Sequence, residues 1–390
     1  MKAKRINNFN LFIIALITVL FMMIPVYSFG DESLEESPVV NVRGKVSRVL
    51  DSRDEGIEYS GGSIQDTFQI VEIKITTSGP YKDRLIKAEY SLSMSFNEKQ
   101  DNTSLKPGDE VLMVLELDEA GEISQAYIYS VVRDKHLLLL LIIFSVIILS
   151  VGRLKGLKAL ISLVLTILGI TYILLPLILK GFDPVFISIW LCVAIAGATL
   201  ILVSGFNKKT LAAIIGTSGG LITAGFISQI IGELAKLTGL GDEESQMLMF
   251  IPQDISFDFK GLLFAGILIG ALGAAMDVGM SLSSAMFEIK EINPEIKKGQ
   301  LLKAGMNIGR DMIATMSSTL ILAYTGGSLQ LMLLFMAHQI PFADIINQDA
   351  YATEVVRSLA GSIGLILTIP ITAIAVGFLS EKSNPEEERY

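Results

Sequence analysis

The sequence predicts an α-helical polytopic membrane bundle of about eight spans, preceded by a small all-β domain outside the cytoplasm. Three observations predict it. Of the 390 residues 51% are hydrophobic and only 18% are charged, whereas soluble domains carry about 25% charged residues. From residue 136 onward eight apolar runs follow one another, several of them near the ~20 residues that cross about 30 Å of hydrocarbon. Between residues 39 and 133 the text changes to short segments rich in β-branched and aromatic residues, separated by Gly, Pro, Asp or Asn clusters.

At the N-terminus, Lys2, Lys4 and Arg5 precede the apolar run 11–24 and the residues PVYSFGD. This is the layout of a secretory signal, with Ser28 or Gly30 before the cut; an uncleaved first membrane helix reads equally well. Either way residues 31–134 leave the cytoplasm. Residues 31–38, DESLEESP, form a polar linker. Strands are expected over 40–50, 67–76, 84–93, 109–117 and 123–132. In the second, the apolar phase moves from Phe68 and Ile70 to Ile73 and Ile75, which predicts a bulge. Five strands in about 95 residues fit a small OB-like barrel. Residues 30–134 hold 21 acids against 11 bases, a balance that argues against a nucleic-acid partner. An accessory role, docking or gating the membrane part, is favoured over an independent ligand-binding domain.

The apolar runs are 136–151, 157–179, 183–204, 211–232, 261–286, 308–325, 328–341 and 358–380, so the membrane domain covers 135–381 and 382–390 is a polar tail. With the first run entering from outside, Arg153, Lys155 and Lys158 fall on the cytoplasmic side. So do Lys208 and Lys209, and then Lys290, Lys297, Lys298, Lys303 and Arg310. The intervening connections, 180–183 and 233–260, are short or acidic. The seventh run is short, and a hairpin at Thr325-Gly326-Gly327-Ser328 or a re-entrant segment fits it. If all eight runs span, the tail lies outside.

Residues 261–325 hold the candidate functional residues. Gly266, Gly270, Gly273, Asp277, Ser281 and Ser284 fall on one helical face, almost free of bulk, as close helix packing requires. Asn307, Arg310, Asp311, Thr315 and Ser318 place a polar stripe on the next segment. An ionisable group in hydrocarbon costs about 2.5–3.5 kcal/mol even on the lenient insertion scale. Asp277 is therefore either an ion or proton site, or a structural group paired with Arg310 or a neighbouring serine. Arg310 and Asp311 lie at the cytoplasmic edge of their run, within snorkelling reach. Gly216, Gly219 and Gly220 read as a packing face, or as a broken helix whose free backbone groups bind a solute. Gly361, Gly364 and Pro370 mark a kinked packing face in the last run.

Other chemistries find little here. Cys192 is the sole cysteine and His136 and His338 lie far apart, so no metal site or cofactor is expected. HExxH is absent. A paired-aspartate protease would need Asp277 and Asp311 facing each other at mid-depth, and Asp311 is expected to lie too shallow for that, so no enzyme is expected.

The segments SGFNKKTLAAIIGT (204–217), GALGAAMDVGMSLSSA (270–285), GMNIGRDMIATMSSTLILAY (305–324) and VVRSLAGSIGLILTIPIT (355–372) resemble the YibE/F family of bacterial multi-pass membrane proteins. The resemblance covers most of 136–380. It implies a polytopic membrane protein and carries over no catalytic or binding residue. Gln330 departs from the family, which often has proline after the GGS-Leu that follows LILAY. The leading function is a transporter or permease for a small solute or ion, driven by an ion gradient or a partner ATPase since no ATP-binding motif is present. The alternative is a membrane scaffold or sensor whose outer domain meets a partner. Membrane lipid, a second copy of the chain and a membrane partner protein are the partners the sequence admits.

Overall fold

A computed structural model describes residues 39–59, 62–92, 104–118, 121–251 and 257–380. The N-terminal signal or helix, the linker 31–38 and the tail 382–390 lie outside the described residues. The chain divides into two compact units, Met1–Ile147 and Ile148–Tyr390.

In the first unit five strands, β1 (Val39–Tyr59), β2 (Gly62–Ile75), β3 (Leu85–Leu92), β4 (Glu110–Leu117) and β5 (Ile123–Val131), close into a barrel. The order is β1-β2-β3-β5-β4 and back to β1, with β3 and β5 parallel. Val42, Val46, Val71, Ile73, Ile75, Val111, Met113 and Leu115 fill it. One strand serves two neighbours at Gly44, which pairs with Ile75 of β2 and Val111 of β4. A Cβ there would overlap Ile73 and lie 3.0 Å from the Met113 sulfur, so the barrel closes where a side chain is missing.

Two readings of the barrel need correction. The expected bulge in β2 is absent: Gln69, Val71, Ile73 and Ile75 point inward without a change of phase. The register shifts instead lie in β1, between Val46 and Arg48 and between Val49 and Asp51. Gln69 is the reason for the misreading. It is buried and polar, and its Oε1 accepts the Leu105 backbone N–H at 2.8 Å, as a buried polar group must find a partner. The first two strands also run on past their expected ends, pairing from Asp51↔Ile70 to Tyr59↔Gly62.

The helical part begins with α1 (Asp134–Gly169), which continues through a π-turn (Ile170–Leu174) to Leu179. A straight helix of these 46 residues would reach about 69 Å at 1.5 Å per residue, roughly twice the hydrocarbon thickness. It breaks at Arg153, whose φ of 48° is non-helical, and Gly156 lies directly against the Ile148 carbonyl. There follow α2 (Pro184–Ser204), α3 (Lys208–Leu234), α4 (Phe259–Ile292), α5 (Lys298–Gly327), α6 (Leu329–Ala337) and α7 (Asp349–Leu379). Side chains start three of them. Asp183, Asn207 and Asp258 accept the backbone N–H of Phe186, Thr210 and Gly261 at 2.8, 2.9 and 2.9 Å, satisfying donors that a helix start leaves open.

Five helices of the described residues are long and apolar enough to cross a membrane, or six if α5 and α6, bent by 56°, count as one. The described residues thus show five or six such helices where about eight spans are expected. The first two runs share one broken helical stretch, and α6, with nine residues, is about 14 Å long, too short to cross alone.

The core is α3, α4 and α7, with α2 packed on α3 and α4, and α5 packed on α7 and α4. Contact between α3 and α7 is intimate. Gly216 lies against the Thr372 hydroxyl and Gly219 against Ile371, while a Cβ at Gly220 would sit 2.6 Å from the Gly364 carbonyl. Gly279 of α4 meets Thr217 and Ala213 at the same level. One end of this unit carries Lys209, whose carbonyl accepts Ser283 Oγ at 2.7 Å, and Lys298 over the Phe378 ring at 3.3 Å. At the other, Asp349 accepts the Thr238 backbone N–H at 3.0 Å and hydroxyl at 2.6 Å. The last helix thus runs antiparallel to α3 and finishes at the lysine-rich end.

Two glycines should separate packing from propensity. Gly220→Ala is expected to destabilise by about 1–3 kcal/mol through overpacking. Gly273→Ala, with open space around the new methyl, should be neutral or stabilising because alanine favours helix by up to about 1 kcal/mol. Thermal unfolding of both variants in detergent reads the difference.

Candidate functional site

The α4 stripe stands clear of the core. Its buried face, Ile267, Leu268, Ala271, Ala275, Val278 and Leu282, packs on α2, α3 and α7, and Gly266, Gly270, Gly273, Asp277 and Ser281 are exposed on another side. A Cβ at Gly266 or Gly273 would meet nothing within 4 Å. Only Gly270 has a close neighbour, the Tyr324 hydroxyl of α5. Ser284 is half-buried. Asp277 is exposed halfway along the helix, and among the described residues it has neither a hydrogen bond nor an ion pair. The pairing with Arg310 or a serine is thus not formed.

Polar residues of α5 form a separate set. Asn307, Arg310, Asp311, Thr315 and Ser318 are all exposed. The Arg310 guanidinium donates to Asn307 Oδ1 at 3.1 Å, and the Thr315 and Ser318 hydroxyls return to the Met312 and Ala314 carbonyls of their own helix. Their depth differs from the sequence reading. Gly309 lies against Ile369, halfway along the apolar run 358–380, so Arg310 and Asp311 sit near mid-depth of the bundle rather than at its cytoplasmic edge. Run boundaries alone had hidden this, because α5 extends well before its apolar stretch begins.

The third set, Gly216, Gly219 and Gly220, lies inside the α3–α7 contact. The third helix passes through it without a break, and no residue there has positive φ. A broken-helix solute site is therefore not formed at this run. Thr368 Oγ1 donates to the Gly364 carbonyl at 3.1 Å, while the Thr372 and Ser218 hydroxyls are buried without a partner among the described residues.

A polar group that the sequence reading did not single out lies at the acidic end. Arg357 Nη1 pairs with Glu354 Oε1 at 2.8 Å, and Glu354 Oε2 accepts Ser328 Oγ at 3.0 Å. The Tyr324 hydroxyl, Thr353 hydroxyl and Arg357 Nε are buried without partners among the described residues. Beside them a cavity of about 280 Å³ is lined by Ile170, Leu174, Leu262, Gly266, Asp242 and Arg357, among others. The available signal was the i, i+3 spacing of Glu354 and Arg357 at the head of an apolar run. Gly266 lines this cavity, so one end of the small-residue stripe of α4 reaches it. Among the described residues no cluster of His, Cys, Asp and Glu has the make-up of a metal site.

The pattern of the YibE/F-like protein family matches residues 140–382, from within α1 to beyond the end of α7. The chain belongs to the YibE/F family. The match covers the whole helical part from α2 onward, so both the α4 and α5 stripes lie within the YibE/F region. No curated protein and no solved structure matches the chain.

Tyr324 offers a check on this geometry. Tyr324→Phe removes a buried hydroxyl that has no partner, so stability should stay within about 1 kcal/mol of wild type or rise. A thermal-unfolding series of the purified protein measures it.

Proposed function

We propose that this YibE/F protein is a transporter or permease of the cell membrane for a small solute or ion, with Asp277 as its intramembrane ionisable site. One observation carries the reading. Midway along an apolar helix a carboxylate stands exposed and unpaired, on a stripe whose other members are glycine and serine. In hydrocarbon such a group should face water or protein, and a stripe without bulk leaves room for water and a small ion. The cavity holding Gly266 and Arg357 would form the outer vestibule, and Asp277 would hold a cation or proton further in.

The lysine-rich end, with Lys208, Lys209, Lys290 and Lys298, fits the cytoplasmic side under the positive-inside rule. The acidic connection between α3 and α4 then faces out, and the last helix ends inside. In this reading the barrel is an OB-like extracytoplasmic accessory that docks to or gates the membrane part. Its five strands and single parallel pair support the OB-like assignment.

Flux into proteoliposomes tests the proposal. Wild type should move a cation or protons down an imposed gradient, and Asp277→Asn, folded and inserted, should lose at least tenfold. Absence of flux from wild type across several cations and a pH gradient would replace transport with a scaffold or sensor role. Equal flux from both proteins would remove Asp277 from the path.

A further inference from the structure

We infer that the chain forms a homodimer through α5, the two copies of that helix lying parallel across a two-fold axis along the membrane normal. This goes beyond the transport reading and does not depend on it. Packing commits α5 on one side only. Leu301, Gly305, Gly309 and Leu320 are buried, Gly305 against Met286 of α4 and Gly309 against Ile369 of α7. On the far side Asn307, Asp311, Ala314, Ser318 and Thr325 are exposed. Their steps of four, three, four and seven residues follow the seam spacing of a helix pair. Apart from Ile321, at the position between Ser318 and Thr325, every member is small or polar, as close approach in a membrane requires.

Depth turns this seam into a constraint. Because Gly309 meets Ile369 at the middle of the α7 apolar run, Arg310 and Asp311 lie where lipid would be hydrocarbon. Asp311 has no hydrogen bond or ion pair among the described residues, and the Arg310 guanidinium reaches only Asn307 of its own helix. Neither charge belongs against acyl chains.

Charge complementarity selects the occupant. In a parallel pair related by a two-fold axis, residues of equal number meet at equal depth. Asp311 of each copy then enters the space bounded by Asn307, Arg310, Asp311 and Ala314 of the other, so the two carboxylates lie across the axis with a guanidinium beside each. Each carboxylate meets the other copy's guanidinium, and the symmetry makes the contact twice. The apolar run at the N-terminus of this chain, residues 11–24, could not play that part. It carries one hydroxyl, Thr18, and no charge.

Disulfide trapping in native membranes tests the pairing. In a Cys192→Ser background, Ala314→Cys and Ser318→Cys are oxidised beside Trp190→Cys and Ile374→Cys, controls at positions exposed elsewhere on the bundle. The seam variants should give a band at twice the chain mass at least tenfold stronger than the controls. Added to Ser318→Cys, Arg310→Asp or Asp311→Arg should each lower that band at least fivefold. The double exchange should restore it, which a merely misfolded single variant would not allow. Any of three results overturns the inference: seam bands no stronger than controls, a seam band at the mass of a different protein, or a double exchange that fails to restore the dimer.

Discussion

Backbones of two helices approach closely in a membrane only where side chains withdraw, and the contact between α3 and α7 is where the helical part meets that requirement. Gly216, Gly219 and Gly220 face Thr372, Ile371 and Thr368, and Gly364 faces Ala224, where an added Cβ would stand 2.5 Å from the alanine methyl. Lipid tails are as apolar as leucine, so no hydrophobic force drives helices together there, and dispersion contacts at short range take its place. Gly279 brings α4 into the same node. With these three helices locked together, the placement of the others is constrained, and so are the faces they leave outward.

Outward faces are where the chemistry lies. The fourth helix spends its bulky residues on the node and turns a stripe of glycine, serine and Asp277 away from it. The fifth spends Leu301, Gly305, Gly309 and Leu320 on α7 and α4 and turns Asn307, Asp311 and Ser318 outward. These polar sets differ in kind. The α4 stripe begins at a cavity bearing Arg357 and offers room. The α5 stripe has seam spacing and two neighbouring opposite charges, Arg310 and Asp311, and offers a contact surface.

Periodicity made much of this legible. Segments rich in β-branched and aromatic residues between turn clusters located all five strands, and the 3.6-residue repeat placed Asp277 and its glycines on one face. What escaped had physical causes that lie outside local pattern. Gln69 points into the barrel because the Leu105 N–H needs an acceptor, and a polar residue at an inward position imitates a change of phase. Residues 51–59 are polar and read as loop, yet pairing with β2 extends them as strand. By contrast, the short seventh run and a turn at 325–328 are legible as text, and a bend of 56° there separates a 30-residue helix from a nine-residue one. The depth of Arg310 depends on its neighbour Gly309 meeting Ile369, a contact between residues 60 positions apart. Glycines 216–220 admitted two readings, and only a partner helix could decide between them.

The central claim is that the α4 stripe borders water rather than lipid, and reactivity along it tests this most directly. In a Cys192→Ser background, Gly273→Cys, Asp277→Cys and Ser281→Cys would be treated in intact membranes with a small charged thiol reagent, next to Ile374→Cys on the exposed side of α7. The account predicts rapid modification at all three stripe positions and none at Ile374→Cys, since a thiolate forms only where water reaches. Stripe positions as inert as the α7 control would mean that Asp277 faces no water path, and the transport reading would fall with it.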